Sequence, residues 1–197
     1  GEYILCQDAD DWSSRERIRL LFEVSEEIGE KSVVGSNYRI FNQNSKKTRG
    51  VKLREKNRNI SLKMSRKFMS SAVFPPSIMV KKEFLVNTGA WRDKFDVAAE
   101  DGDLLDRLFE NGAIFHNVQK YLYNYRLNEG SITNKLNKTI PYQMFKRFCK
   151  NCRIKGEKEP DSFLEYFNIQ NKNIFQSLKY YFEYFLWYLF FKLLKDH

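Results

Sequence analysis

Gln7-Asp8-Ala9-Asp10-Asp11 crowds the carboxylates Asp8, Asp10 and Asp11 against the end of the apolar stretch Tyr3-Ile4-Leu5-Cys6. Ionised carboxylates side by side repel one another, so a cation normally sits between them. Hard oxygen ligands suit Mg²⁺ or Mn²⁺, and such ions commonly hold substrate phosphates as well. The plain alternative is a helix N-terminus, where acids meet the positive end of the dipole. A second acidic group, Glu100-Asp101-Gly102-Asp103, opens an apolar run far downstream. Acids in the first turn of a helix are often only partners of its dipole.

These acids need elements to hold them. Tyr3 to Gln7 reads as a buried strand. Ser13 and Glu16 have capping-box spacing, and Ile18, Leu21, Phe22 and Ile28 recur at helical intervals, which predicts an amphipathic helix over about 14–28. Ser32 to Ile40 reads as a strand interrupted by Gly35, and Ser77 to Val80 as another after Pro75-Pro76. A helical turn follows at Lys82–Thr88, and Ala90 to Val97 is a loop carrying Trp91 and Phe95. Glu100 to Asn111 is a helix with Leu104, Leu105, Leu108 and Phe109 on one face and Gly112 as its C′ residue. Ile114–Val118 and Tyr121–Leu127 read as two strands. Thr139 and Pro141 mark the start of a further helix whose apolar stripe holds Met144, Phe145, Phe148, Cys149 and Cys152. Both thiols of the Cys-x-x-Cys pair fall on that stripe, which favours structural cysteines over metal or redox chemistry.

The 197 residues suffice for one domain with a proper core, and 42% apolar against 30% charged content fits a folded soluble protein. Three cysteines and no secretory leader read as a reducing, cytoplasmic protein. Two histidines argue against a His-rich zinc site or a His-centred triad. The net charge of +9 could serve anionic lipid, nucleic acid or a phosphorylated substrate. Part of it sits in a basic insertion at about 42–69, where ten Lys/Arg between Lys46 and Lys67 face the single acid Glu55. That insertion reads as a mobile loop, either solvated or a binding patch. In the tail from Asn173 to His197, Ile174, Leu178, Phe182, Phe185, Leu189 and Leu193 repeat at helical spacing. Its densest apolar part, Tyr180 to Leu194, would reach about 22 Å as a helix, short of the roughly 30 Å hydrocarbon core. It reads as an in-plane interfacial helix or as a core or dimer-interface helix.

The order of these features resembles the family-two glycosyltransferases, which have the type A (GT-A) nucleotide-sugar fold. The resemblance runs from Gly1 to about Thr133. Gly1-Glu2-Tyr3-Ile4 followed by Asp8-Ala9-Asp10-Asp11 is similar to the family's DXD region. Asn87-Thr88-Gly89-Ala90-Trp91, leading to Phe95, is similar to the acceptor-side loop. Glu100-Asp101 with Leu104 to Leu108 is similar to the ED motif and its helix, and Tyr125-Arg126-Leu127-Asn128-Glu129-Gly130-Ser131 to the segment that closes the site.

The resemblance implies an α/β fold: a partial GT-A mixed sheet flanked by helices over 1–135, then a helical extension over 136–197 with aromatic amphipathic helices. It implies that Asp8 and Asp10 hold Mg²⁺ or Mn²⁺ and that Asp11 supports the loop or contacts the donor. Asp101 would be the general base that takes the acceptor hydroxyl's proton during a single inverting displacement, with Glu100 beside it adding like-charge repulsion. Trp91 would offer a flat surface to an acceptor sugar, Arg107 would brace its helix, and Arg126 would meet a phosphate or form a structural ion pair. The donor would be a nucleotide sugar, with a UDP-sugar first in line, and the acceptor a saccharide or lipid-linked saccharide. Two departures stand out. Asn128 occupies a position where many relatives carry His. The strand–helix–strand portion that holds the nucleoside ahead of the DXD motif has no counterpart here, which would leave the first strand with a raw edge.

The leading reading is thus the C-terminal part of an inverting glycosyltransferase of bacterial cell-surface polysaccharide synthesis. It would be cytoplasmic, with a peripheral contact to the inner face of the membrane through 173–197 and no nucleic-acid partner. A second reading is a non-catalytic remnant that binds membrane or a partner through the basic loop and aromatic helix. A third, a metal-dependent nuclease or phosphatase, lacks a stacking-aromatic motif or phosphate loop to accompany the acids.

Overall fold

The computed structural model describes residues 1–53, 73–95, 98–127 and 136–171, together with Lys179, Phe182, Phe185 and Leu186. The chain divides into two compact units: Gly1–Ala90 with Leu105–Glu129, and Trp91–Leu104 with Gly130–His197.

The first unit is built on a six-stranded mixed sheet. Its strands are β1 (Tyr3–Leu5), β2 (Trp12–Ser13), β3 (Ser32–Asn42), β4 (Thr48–Val51), β5 (Met79–Lys81) and β6 (Ile114–Leu127). They lie in the order β1-β5-β3-β6-β2, with β4 also against β3. β3 and β6 run parallel, and every other pair is antiparallel. Among the described residues β1 ends the order and pairs with β5 alone. The β-branched Val33, Val34 and Val80 supply the fully buried centre. Helix α1 (Arg17–Ile28) covers it, with Leu21 packed among Val34, Met79 and Leu122.

Several elements differ from their predicted form, each because of a tertiary contact. α1 begins at Arg17, and no side-chain cap closes its N-terminus. Ser13 is instead paired into the sheet opposite Tyr123, and its hydroxyl donates to Gln7 Oε1 at 2.6 Å. The buried stripe of α1 runs through Arg17, Leu21 and Ser25, while Ile18 and Phe22 remain 63% and 44% exposed. Gly35 does not interrupt β3. A β-carbon there would stand 2.9 Å from Asn117 Oδ1 and 3.3 Å from Val73 Cβ, so glycine permits close packing inside a continuous strand. The two strands expected at Ile114–Val118 and Tyr121–Leu127 are one, β6, whose register against β3 shifts between Ser36 and Tyr38. Gln119-Lys120 looked like a break because a bulge absorbs them. The first part of the basic insertion is an ordered β3–β4 hairpin rather than a loop, and its remainder from 54 lies outside the described residues. After Pro75–Ser77, a single 3₁₀ turn, β5 passes directly into α2 (Lys82–Asn87).

The second unit contains a 3₁₀ turn at Asp93–Phe95, the opening of α3 (Glu100–Glu110), α4 (Leu136–Lys155) and α5 (Phe163–Asn171). α4 starts before the predicted Thr139 boundary and takes Pro141 inside its first two turns. Its core gathers Phe95, Ile140, Met144, Phe145, Cys149 and Tyr166. Tyr142 and Phe163 stack at 4.6 Å beside it. Cys149 and Cys152 are buried free thiols, and burial pushes Cys149 up to about 12, so the pair is structural as the helical stripe implied. No described helix is long and apolar enough to cross a membrane. Most of the aromatic tail lies outside the described residues.

Candidate active site

The first acidic group forms a tight turn locked to β6. Asp11 N–H donates to the Asp8 carbonyl at 3.2 Å, which closes residues 8–11 on themselves. The Asp11 carboxylate accepts the Tyr123 hydroxyl and the Arg126 backbone N–H, both at 2.7 Å. Tyr123 in turn accepts the Asp8 N–H at 3.1 Å, and Arg126 Nε donates to the Asp10 carbonyl at 2.8 Å. Two residues of one strand thus clamp the whole turn. The consequence is a division of labour among the acids. Asp11 is taken up in the lock, while Asp8 and Asp10 are solvent-exposed.

Electrostatics agree with that division. Burial raises the Asp11 carboxyl above its ordinary range, the Arg126 and Tyr123 hydrogen bonds oppose the rise, and the Asp10 charge adds to it. Burial also drives the Tyr123 hydroxyl well above the usual phenol range, helped by its bond to Asp11. At neutral pH Tyr123 is therefore a proton-bearing donor.

Sequence reasoning missed the residue beneath this turn. Arg17 is 1% exposed. Its Nη1 donates to Gln7 Oε1 and Ser13 Oγ, both at 2.7 Å. Its Nη2 donates to the carbonyls of Cys6 (2.5 Å) and Pro76 (3.1 Å). The guanidinium also lies 4.8 Å from the Tyr123 ring centre. All four hydrogen-bond partners are neutral, and burial lowers its pKa. The buried cation is thus held by neutral dipoles, and it ties the strand before the turn to the one after it. The only sequence signal was its place four residues before Leu21 in α1. Trp12, which the sequence reading also passed over, is 41% exposed beside the same turn. It sits edge-on to Phe41 at 5.7 Å, with the Arg126 guanidinium 5.3 Å from its ring.

The second acidic group belongs to the second unit. Trp91 Nε1 donates to Asp101 Oδ1 at 3.1 Å, and Trp91 is 39% exposed. Glu100 is exposed and Asp101 half-buried at the first turn of α3. Ala99, at φ 73°, turns the chain into that helix in a left-handed conformation, a placement common at functional loops. The loop ahead of Trp91 is pinned within the first unit. Arg107 donates to the Thr88 and Ala90 carbonyls, and Gly89 takes φ 85°. Arg107 thus braces that loop as well as lying on its helix. Asn128 to Ser131 lie outside the described residues.

Among the described residues no group of three or more His, Cys, Asp or Glu gathers to hold a metal by itself. Two exposed carboxylates one residue apart do fit a hard cation that takes the rest of its shell from water and phosphate, the usual arrangement for Mg²⁺.

The mixed sheet with flanking helices agrees with the partial GT-A fold that the resemblance implies. Residues 1–86 match the family model described as Glycosyl transferase family 2. The match bears out the family resemblance over the stretch that contains the acidic turn, Arg17 and the β3–β4 hairpin. Trp91, Glu100, Asp101, Tyr123 and Arg126 lie beyond it. No curated protein matches the chain.

Tyr123→Phe tests the lock. It removes the hydroxyl shared by Asp8 N–H and Asp11, and leaves a half-buried carboxylate with one partner fewer. The expected loss is about 1–3 kcal/mol in urea denaturation at neutral pH. A loss below about 0.3 kcal/mol would show that the turn holds without Tyr123.

Proposed function

We propose that the chain carries the donor-phosphate, acceptor and base elements of an inverting glycosyltransferase that uses a nucleotide sugar, with a UDP-sugar as the first candidate. The observation that carries this reading is the clamped turn within residues 1–86, which exposes Asp8 and Asp10 and commits Asp11 to structure. Asp8 and Asp10 would hold Mg²⁺ or Mn²⁺; when bound, the ion supplies charge neutralisation to a departing nucleoside diphosphate. Asp11 acts indirectly, by fixing the turn. Arg126 adds positive charge beside Asp10 and is placed to approach a phosphate.

In the second unit Trp91 offers its exposed face to an acceptor ring, and its N–H orients Asp101. Asp101 takes the acceptor hydroxyl's proton as that oxygen attacks the anomeric carbon. The bond to the diphosphate oxygen breaks on the opposite side, and configuration inverts. Glu100 lines the same helix start and meets acceptor hydroxyls. A saccharide or lipid-linked saccharide in cell-surface polysaccharide synthesis suits the aromatic and basic character of the chain.

Calorimetric titration of UDP tests the donor half. Binding is expected only with Mn²⁺ or Mg²⁺ present, and Asp10→Asn is expected to weaken it at least about tenfold, the loss of one charged ligand contact. Binding by a folded chain that ignores both the metal and the substitution would sink the donor-site reading. Complete absence of binding would favour the non-catalytic remnant.

A further inference from the structure

The β3–β4 hairpin is unusual in charge. Residues 39–53 contain Arg39, Lys46, Lys47, Arg49 and Lys52 and no acid. Every residue from 43 to 50 is exposed. Among the described residues none of these five cations is paired with a carboxylate. Arg39 rests instead 4.8 Å from the Tyr121 ring, which orders its side chain and leaves its charge uncompensated.

The hairpin is also well built. Tyr38 to Phe41 pair with Val51 to Thr48, and Asn42 N–H donates to the Lys47 carbonyl at 2.9 Å. Asn42 Oδ1 accepts the N–H groups of Asn44 (3.0 Å) and Ser45 (2.9 Å). Gly50 keeps Tyr121 close: a β-carbon there would stand 2.8 Å from its hydroxyl oxygen. A cationic surface already ordered loses little conformational entropy on docking. Next to its turn lies Phe41, paired with Thr48, and against Phe41 sits the exposed Trp12, an aromatic type that favours the headgroup level of a bilayer.

We propose that this hairpin docks the chain on an anionic phospholipid surface. Charge complementarity selects a polyanionic partner. A second observation, made within the other unit, selects lipid over nucleic acid. Phe182, Phe185 and Leu186, each helical and spaced i, i+3 and i+4, are 62%, 55% and 48% exposed. An apolar helical triplet has no use for a phosphate backbone, whereas a bilayer takes both features. The inference goes beyond the glycosyltransferase reading and stands without it.

Co-sedimentation of the full chain with vesicles is the test. Phosphatidylcholine vesicles containing phosphatidylglycerol should bind it, and pure phosphatidylcholine should bind it far less. Lys46→Ala/Lys47→Ala/Arg49→Ala should weaken partition on the order of 100-fold, about fivefold per cation, and high salt should do the same. Lys46→Arg/Lys47→Arg should retain binding. All these side chains are exposed, so thermal stability should not move. UDP titration of the triple variant reads the donor site separately, so failure of one idea is not mistaken for failure of the other. Undiminished vesicle binding by the triple variant, equal binding to neutral lipid, or a preference for duplex DNA over anionic vesicles would each overturn the proposal.

Discussion

Asp101→Asn is expected to lower turnover by about 10²–10⁴-fold while leaving UDP affinity within about twofold. The substitution separates two roles the carboxylate could play. Asn still offers an oxygen to the Trp91 N–H, now 3.1 Å from Asp101 Oδ1, so the orientation of the indole and the start of α3 persist. What disappears is the ability to accept a proton from the attacking hydroxyl. Turnover is read as UDP released across a panel of UDP-sugars, with the UDP titration alongside. If Asp101 serves only as an acid near a helix N-terminus, the change costs a few tenths of a kcal/mol in stability and turnover stays level. Unchanged release would therefore remove Asp101 from the chemistry.

Arg92→Leu is expected to cost about 3–5 kcal/mol, a large share of the roughly 5–15 kcal/mol that holds a typical domain. Asp103 is 0% exposed, and Arg92 reaches it with two nitrogens, Nε at 2.9 Å from Oδ2 and Nη2 on Oδ1. Arg92 Nη1 also donates to Glu159 Oε2 at 2.9 Å, where Lys94 Nζ joins at 2.7 Å. Arg153 reaches Glu159 Oε1 at 3.2 Å and Asp103 at 3.5 Å. Leucine would strand a buried carboxylate beside an incomplete cluster. Urea denaturation reads the loss, and Arg92→Lys, which keeps the charge but not the fork, should recover only part of it.

The same cluster gives the curve a pH signature. Burial works against the Glu159 charge, but the Lys94 hydrogen bond and the Arg92 and Arg153 contacts outweigh it and hold the carboxyl at about 2, below its ordinary 4.5. A depressed folded-state value adds stability that is full above pH 4.5 and lost as pH falls through about 2. A stability profile flat across that window, or an Arg92→Leu cost under about 1 kcal/mol, would show that solvent already satisfies these charges.

Local chemistry was legible in the sequence wherever one segment decides its own structure. The acidic turn, the α3 helix with Gly112 at φ 86°, and the burial of Cys149 and Cys152 follow from spacing and side-chain type. Features set by distant partners were not. A two-residue strand, Trp12–Ser13, displaced the predicted cap because β6 offered it a ladder. Arg17 is drawn inward by carbonyls of Cys6 and Pro76, which no periodicity within α1 announces. The acids of Glu100-Asp101-Gly102-Asp103 looked alike in a row. The fold gives them three environments: Glu100 in solvent, Asp101 on Trp91, and Asp103 sealed under Arg92. The family match likewise ends at residue 86, ahead of the half of the candidate site that the ordered motifs had suggested.

Charge brackets the short strand ahead of the acidic turn. β1 is only three residues long, with Glu2 before it and Lys81 opposite Tyr3. A fibril seed needs a run of six or seven apolar, uncharged residues, and this strand does not supply one. Its brevity is thus a form of quarantine: the strand is too short, and too closely flanked by charge, for indiscriminate stacking.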